Sequence, residues 1–123
     1  MTSQRIVMAI AALEGLSLYT IDVDNAYLNG VIDTKLYMQQ PKGFIDPTHP
    51  NTSIWVCELQ KGLYGLKQAG NIWNAAIHAY ILELGFKRTS ADLCVYTHVV
   101  QKARMAIALH VDDFLAACTP QQF

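Results

Sequence analysis

The C-terminal part of the chain contains three apolar segments, and one acidic pair separates the last two. Strand-like stretches at 93–99 and 105–110 are followed by Asp112–Asp113 and then by another apolar stretch at 114–118. Short apolar runs separated by a polar dipeptide are typical of neighbouring strands joined by a tight turn. The pattern therefore predicts a β-hairpin with the two aspartates at its turn.

The remaining segments predict further helices and strands. One helix is expected from Thr2 or Ser3 to Gly15, and another over 68–84, where Gly85 supplies the left-handed residue that ends many helices. β-Branched and aromatic residues predict the other strands, and a cluster of Pro, Asp and Asn residues predicts a surface loop. The strands are expected over 17–24, 35–39 and 54–59, and the loop over 43–53. The order helix, strands, helix, hairpin predicts an α+β fold with an antiparallel sheet.

Composition restricts the class of protein. The chain has 123 residues, 52% apolar and 15% charged, so it can form one core and is too apolar for wholesale disorder. A formal charge of -1 argues against a general nucleic-acid coat protein but allows a local basic patch. No apolar run approaches the roughly 20 residues of a membrane span, and the N-terminus is a poor signal peptide. The three cysteines are widely spaced and odd in number, so we expect buried, reduced thiols in an intracellular protein.

Three carboxylates stand among apolar neighbours. Asp22 is near the end of a predicted strand, and Asp112 and Asp113 separate two apolar stretches. Burying unpaired carboxylates is costly, and a hard divalent cation such as Mg²⁺ would offset that cost. Two such ions about 4 Å apart can clamp an in-line phosphoryl displacement. The residues alone equally fit a solvated turn, and Asp22 with Asp24 fits the polar face of an edge strand, because spacing does not show whether distant positions meet.

Five sequence blocks occur in an order that resembles a known family. They are Asp22–Gly30 (DVDNAYLNG), Leu36–Phe44 (LYMQQPKGF), Leu63–Ala69 (LYGLKQA) with Trp73 beyond it, Gly85–Phe86 with Asp92 and Tyr96, and His110–Asp113 (HVDD). Together they resemble the reverse transcriptase of copia-type LTR retrotransposons over nearly the whole chain. The LYGLKQA block is the most distinctive of that family.

The resemblance implies a fold, an activity and partners. The fold would be a truncated reverse-transcriptase palm with part of the fingers over 1–123, an α+β domain whose antiparallel sheet carries helices on one face, without the thumb and the RNase H domain. In the intact enzyme a primer 3′-hydroxyl would attack a dNTP at a two-metal site, as an RNA-directed DNA polymerase requires. The partners would be an RNA or DNA template with its primer, a dNTP and the remainder of the Pol polyprotein. The location would be the cytoplasm, within the virus-like particle of the intact element, or the nucleus.

The resemblance assigns the metal site to three acids and one backbone group. Asp22 and Asp112 would be the metal-binding catalytic carboxylates, and Asp113 would support them. The backbone carbonyl of Val23 would be a further ligand. The cation would be Mg²⁺ or Mn²⁺.

Two further side chains would contact the nucleotide. Tyr27 would be the aromatic steric gate that leaves no room for a 2′-hydroxyl, and Gln68 would contact the incoming dNTP. Basic side chains are candidate phosphate contacts, although we expect most of them to lie on a solvated face. These are Lys61, Lys67, Lys87, Arg88, Lys102 and Arg104.

The sequence departs from the family pattern at two places. His110 replaces the usual tyrosine, and we expect a hydrogen-bonded histidine beside the site rather than a contact to the primer. Gly70–Asn71 replaces the usual Pro-Arg, which removes a cation near the template or nucleotide. These departures and the short chain predict weak activity or none for the isolated chain. They leave open a second function, a non-catalytic transposon-derived fragment that acts as a binding or interaction module.

Overall fold

The computed structural model describes residues 2–101 and 103–120. They form two compact units. The first unit contains the residues up to Ala26 and those from Asn74 onward, and the second is Tyr27–Trp73. Within the described part of the chain, no helix has the length and apolar character needed to cross a membrane.

The first unit is built on a five-stranded antiparallel sheet. Its first helix and strand are α1 (Thr2–Glu14) and β1 (Ser17–Asp22). The other strands come after the second helix of the chain. Those strands are β4 (Lys87–Arg88), β5 (Val95–Val100), β6 (Ala103–His110) and β7 (Asp113–Cys118). Strands β2 and β3 belong to the second unit. The order across the sheet is β1-β7-β6-β5-β4, and every neighbouring pair is antiparallel, which confirms the predicted α+β class.

The second unit contains a short hairpin and a loop held by one side chain. Strands β2 (Tyr37–Gln39) and β3 (Val56–Glu58) pair antiparallel. Between them, the Gln40 side-chain amide donates to the carbonyls of His49, at 2.9 Å, and Trp55, at 3.2 Å. Its oxygen accepts the Asp46 N–H at 2.7 Å. Three bonds from one glutamine therefore order the predicted 43–53 loop.

Helix α2 (Ala69–Glu83) begins in the second unit and continues into the first. Both of its ends lie within one residue of the prediction, and Gly85 has φ +88°, as the helix end requires. Its buried stripe is Trp73, Ile77 and Ile81. Tyr80 is 57% exposed, because it lies to one side of the line that these residues, spaced four apart, follow along the helix.

Helix α1 covers one face of the sheet. Val7 and Ala11 on the helix are buried against Ala108 of β6 and Ala117 of β7. Half-buried apolar side chains surround this contact. They are Leu16, Val95, Ala106 and Leu115. Small residues in the strands let the helix approach closely, so alanines contribute most of the sheet's side of this core.

Helix α2 contacts the opposite face. Tyr96 of β5 is fully buried, and its ring centroid is 5.7 Å from that of His78 on α2. The Tyr96 hydroxyl and His78 Nδ1 are hydrogen-bonded at 3.2 Å. Because successive side chains of a strand alternate between faces, Tyr96 projects away from the face on which Val95 meets α1. The prediction that both helices pack on one face is therefore wrong: the strands are apolar on both faces, and each face has its own helix.

The three cysteines are free thiols, but only Cys118 is buried. Cys94 is exposed and Cys57 is half-buried, so the prediction of uniformly buried thiols is wrong for these two. Burial raises the pKa of the Cys118 thiol. We expect a thiol reagent at pH 8 to modify Cys94 quickly and Cys118 only after unfolding, because the thiolate is the reactive form. Mass spectrometry of time points with and without urea checks this order, and rapid modification of folded Cys118 would contradict it.

Gly62 allows a close backbone approach within the second unit. A Cβ at this position would lie 2.6 Å from the Tyr27 carbonyl oxygen, which as a backbone atom cannot easily move. We expect Gly62→Ala to lower the free energy of unfolding by about 1–3 kcal/mol through overpacking. The matched control is Gly70→Ala in α2, where a Cβ meets nothing within 4 Å. That change should instead stabilise by up to about 1 kcal/mol, and urea unfolding that gives both variants the same sign would refute this account.

Candidate metal and nucleotide site

A tight turn presents the acidic pair at the open end of the sheet. His110 and Asp113 are paired in register, so Val111 and Asp112 form a two-residue hairpin loop. Val111 has φ +57°, whereas Asp112 is not among the residues with positive φ. A positive φ at the first position is typical of the turns that match the twist of paired strands, but it is strained for a β-branched residue. Strain of this kind is often concentrated at functional sites, where the surrounding structure holds it.

The end of β1 lies beside this turn. Asp22 is the register partner of Asp113, and the Val23 N–H donates to the Asp112 carbonyl oxygen at 3.0 Å. The tertiary structure thus brings together acids that are far apart in the sequence. The juxtaposition on which the predicted metal site depends is present.

Asp22 and Asp113 project from the same face of the sheet. Directly opposed residues of antiparallel strands share a face, with Cβ atoms about 4.5–5.5 Å apart. By alternation this face also carries Leu115 and Ala117, so it is the face that α1 covers. Both carboxylates are exposed, and Asp112 in the turn is half-buried. The sequence left open whether these acids are buried or solvated; Asp22 and Asp113 are exposed, because the strands end here and the sheet is open.

His110 lies at the same end of the sheet. It is the other register partner of Asp113, on β6, and it is exposed. Its ring forms no hydrogen bond or ion pair within the part of the chain that the structure describes, so the prediction of a hydrogen-bonded histidine is wrong.

A cavity of about 460 Å³ adjoins the two carboxylates. Gln4 and Met8 of α1 form one wall, and Thr20 of β1 lies beside Asp22 and Asp113. This volume is within the range of small-molecule sites. Sequence reasoning missed these three lining residues. Because residues two apart share a face of a strand, Thr20 could have been predicted on the same face as Asp22. Because residues four apart share a face of a helix, Gln4 could have been predicted beside Met8. Neither pattern shows which face of the sheet the helix covers.

A hydrogen bond fixes the start of α1 above this end of the sheet. The Ser3 hydroxyl donates to the Asp92 carboxylate, in the segment that precedes β5. This bond is the main reason that the pKa of Asp92 is lowered, and the Cys94 N–H contributes a second bond at 2.7 Å. Asp92 therefore has a structural role, which holds Gln4 next to the acids.

The donor chemistry of the acid pair fits a hard divalent cation. Mg²⁺ takes oxygen ligands and needs only one or two protein carboxylates, with water and substrate phosphates completing its shell. Asp22 and Asp113 supply two carboxylates on one face. Among the described residues, no group of three or more His, Cys, Asp or Glu side chains is assembled to hold a metal. Two carboxylates are within the number of protein ligands that Mg²⁺ uses when water and substrate phosphates complete its shell.

The two predicted nucleotide contacts belong to the second unit and are placed within it. Tyr27 lies in a 3₁₀ helix (Ala26–Asn29), and its ring centroid is 4.5 Å from that of Tyr64. The Tyr27 carbonyl accepts the Gly30 N–H at 3.2 Å. Gln68 directly precedes α2, is half-buried, and its carbonyl accepts the Ile72 N–H at 3.1 Å.

The predicted basic contacts have different environments. Arg104 forms an ion pair with Glu14 at 2.7 Å, and Arg88 donates from Nε to the Leu93 carbonyl. The guanidinium of Arg88 also lies 5.9 Å from the centroid of the Tyr96 ring. Three lysines are exposed, as a solvated face predicts. These are Lys61, Lys67 and Lys87, whereas Lys102 lies outside the described residues.

The acid pair should cost stability when no cation is bound. Like charges directly opposite each other in a sheet are destabilising, so Asp113→Asn should raise the free energy of unfolding by about 0.2–1 kcal/mol at low salt with EDTA. Asp33→Asn in the second unit removes the same charge and serves as the control. Urea unfolding measures both. Destabilisation by Asp113→Asn, or equal effects of the two variants, would contradict a repulsive pair.

An antiparallel sheet with carboxylates facing each other at its open end is compatible with metal-dependent nucleotidyl transfer, and comparison with known proteins defines the family. A family model described as reverse transcriptase (RNA-dependent DNA polymerase) matches residues 1–122. The chain belongs to this family. No solved structure matches the chain.

The similar proteins are Pol polyproteins of copia-like retrotransposons. The Pol polyprotein from transposon RE1 of Arabidopsis thaliana is 39% identical over 114 residues, which cover 93% of this chain and 8% of that protein. The corresponding protein from transposon RE2 of the same plant is 38% identical, with the same coverage. That from transposon TNT 1-94 of Nicotiana tabacum is 35% identical over 94% of this chain and 8% of its own length. The chain thus spans about 8% of the length of these relatives.

Proposed function

We propose that this chain forms the palm and part of the fingers of an RNA-directed DNA polymerase from a copia-type retrotransposon. The observation that carries the proposal is the pairing of Asp22 with Asp113 beside the Val111–Asp112 turn, in a chain of the reverse transcriptase family. Two neighbouring carboxylates are the kind of protein ligands that a Mg²⁺ ion shared with a nucleoside triphosphate uses. The template, primer and dNTP are the corresponding partners.

The reaction is attack by a primer 3′-hydroxyl on the α-phosphate of a dNTP, with pyrophosphate as the leaving group. When bound, divalent cations lower the pKa of the hydroxyl and neutralise the charge that develops on the phosphate. Asp22, Asp112 and Asp113 would hold these cations, with the Val23 carbonyl as a further ligand. The Val23–Asp112 hydrogen bond keeps the two chain segments in register. Because the protein does little covalent chemistry, its main contribution is positioning.

Tyr27 and Gln68 are proposed to select and orient the nucleotide. Gly62 and Gly30 contact the Tyr27 backbone closely, and the Tyr64 ring packs on the Tyr27 ring. A ring held in this way can exclude a 2′-hydroxyl by shape, since it has little freedom to move aside. Gln68 is held by the first turn of α2. Tyr27→Ala should therefore reduce discrimination between dNTP and NTP more than it reduces dNTP use.

Exposed apolar side chains favour a partner for both units. Leu13 of α1 is 87% exposed, and Phe44 and Val31 of the second unit are 82% and 72% exposed. Large apolar side chains without cover are typical of surfaces that pack against another chain or domain. The rest of a Pol polyprotein is the proposed cover. The same observation supports the second function, an interaction module without catalysis.

A primer-extension assay separates these functions. The chain is incubated with a primed RNA template, dNTPs and Mg²⁺ or Mn²⁺, and Asp112→Asn is the matched control. Because the isolated chain is expected to be weakly active at most, the polymerase function predicts a low, metal-dependent incorporation above this control. Incorporation equal to the control, from protein that circular dichroism shows to be folded, would reject the polymerase function for this chain and favour the interaction module.

A further inference from the structure

Helix α1 carries a stripe of exposed apolar side chains on the side that faces away from the sheet. Its members follow one another at spacings of three or four residues, so they form a continuous line along the helix. These residues, which we call the α1 stripe, are Ile6, Ala9, Ile10 and Leu13. The helix contacts the sheet through Val7 and Ala11 instead. Leu13, at 87%, has the largest exposed fraction among the large apolar residues that the structure describes.

The charges of α1 favour an antiparallel partner helix of the same sequence. Arg5 directly precedes the stripe, Glu14 directly follows it, and the stripe itself is uncharged. In a parallel pair, like charges would lie level with each other at both ends. In an antiparallel pair, Glu14 of each copy lies level with Arg5 of the other and near the N-terminus of its helix, where a negative charge is favourable. Glu14 also pairs with Arg104 at 2.7 Å, and one carboxylate can accept from both arginines.

The stripe is self-complementary in this antiparallel arrangement. A two-fold axis between Ala9 and Ile10 is equidistant along the helix from Ile6 and Leu13. Ile6 of each copy then lies level with Leu13 of the other, and Ile10 with Ala9. The small side chain of Ala9 leaves room for Ile10, so the helix axes can approach to the usual 8–10 Å. Such a match of one surface with itself is what a two-fold interface requires.

We propose that the α1 stripe is a self-association surface, through which two copies of this chain pair by antiparallel α1 helices. This pairing goes beyond the polymerase function and does not depend on it. The rest of a Pol polyprotein then remains the proposed cover for Phe44 and Val31 of the second unit.

The pairing should be weak and reversible. Helix α1 has 13 residues and is therefore about 20 Å long and about 10 Å wide, so its contact is smaller than the roughly 800 Å² per partner of a standard interface. We expect a dissociation constant on the order of 100 μM. The formal charge of -1 adds little repulsion between copies.

Sedimentation velocity from about 10 μM to about 1 mM measures the pairing. We expect the mean mass to rise from that of a monomer towards that of a dimer. Leu13→Lys should raise the dissociation constant at least about tenfold, because it places a cation in the apolar contact and near Arg5 of the other copy. Ile6→Lys is a second variant, at the other end of the stripe. The matched control is Phe44→Lys in the second unit, where the side chain is 82% exposed, and it should leave the pairing unchanged.

Cysteine cross-linking tests the antiparallel arrangement. Cys94→Ser first removes the exposed thiol. In that background Ala9→Cys lies beside the two-fold axis, so mild oxidation should link two copies. Leu13→Cys lies level with Ile6 of the other copy rather than with itself and should link poorly. Ala12→Cys is the control on α1, exposed but outside the stripe.

The outcomes decide the proposal once circular dichroism has shown that each variant is folded. A chain that stays monomeric to about 1 mM overturns the pairing and leaves the rest of a Pol polyprotein as the cover of α1. Pairing that both stripe variants leave unchanged, or that only Phe44→Lys removes, also overturns it. Stronger linking through Leu13→Cys than through Ala9→Cys overturns the antiparallel arrangement. None of these results bears on primer extension, so the proposed function is tested separately.

Discussion

Asp22→Asn is expected to lower single-nucleotide incorporation by about a thousandfold, which corresponds to roughly 4 kcal/mol of transition-state stabilisation. Asparagine keeps the size of the side chain and one oxygen but removes the charge that is proposed to hold a cation. Asp22 is exposed at the end of β1 and opposite Asp113, so the change removes no buried contact. The loss should therefore be confined to turnover. The measurement is the rate of primer extension by one nucleotide at saturating dNTP.

Asp24→Asn is the matched control for this prediction. Asp24 lies two residues beyond Asp22, outside β1, and carries the same charge. We expect less than about a threefold effect, because Asp24 lies outside the proposed metal site and its charge reaches that site only through solvent. A large loss in Asp24→Asn with little loss in Asp22→Asn would transfer the ligand role to Asp24. Equal, small losses in both would reject a catalytic carboxylate on this segment.

Tyr96→Ala is expected to have the largest effect on stability, about 3–5 kcal/mol of the free energy of unfolding. Tyr96 is completely buried on β5, between β4 and β6. Burial raises the pKa of its hydroxyl, and this hydroxyl is hydrogen-bonded to His78 Nδ1 at 3.2 Å. Truncation would leave a large cavity between the sheet and α2. Urea or thermal unfolding measures the loss.

Tyr96→Phe separates packing from the hydrogen bond. Phenylalanine keeps the ring and removes only the hydroxyl, so we expect a loss of about 0.5–1.5 kcal/mol. A loss as large as that of Tyr96→Ala would show that the bond to His78, rather than the ring, holds α2 on this face. A negligible loss in both variants would contradict the packing described here.

The helices were predictable because their signals are local. Gly15 and Gly85 have φ +67° and +88° and end the two helices where the sequence indicated. Strand β1 stops two residues short of its prediction, at Asp22, because the chain turns once its pairing with β7 ends. The two-residue strand β4 was missed, since so short a segment has no periodic pattern. Its existence depends on pairing with β5.

The sequence was enough to predict which residues form the candidate site, but not how these residues are arranged in space. Sequence blocks identified Asp22, Asp112 and Asp113 together, through resemblance rather than through spacing. They did not show that Asp113, rather than Asp112, is the direct partner of Asp22. Nor did they show that His110 is the other register partner of Asp113. The register in which the strands pair decides both of these features. A shift of one residue in that register would move every side chain of the strand to the opposite face of the sheet.

By itself, the sequence determined the family, the α+β class and the ends of both helices, because these depend on local residue patterns. Only the tertiary structure decided that α1 and α2 cover opposite faces and that Asp22, Asp113 and His110 share one of them. The physical reason is that alternation fixes which residues of a strand lie together, whereas the pairing of strands far apart in the chain fixes which strands meet.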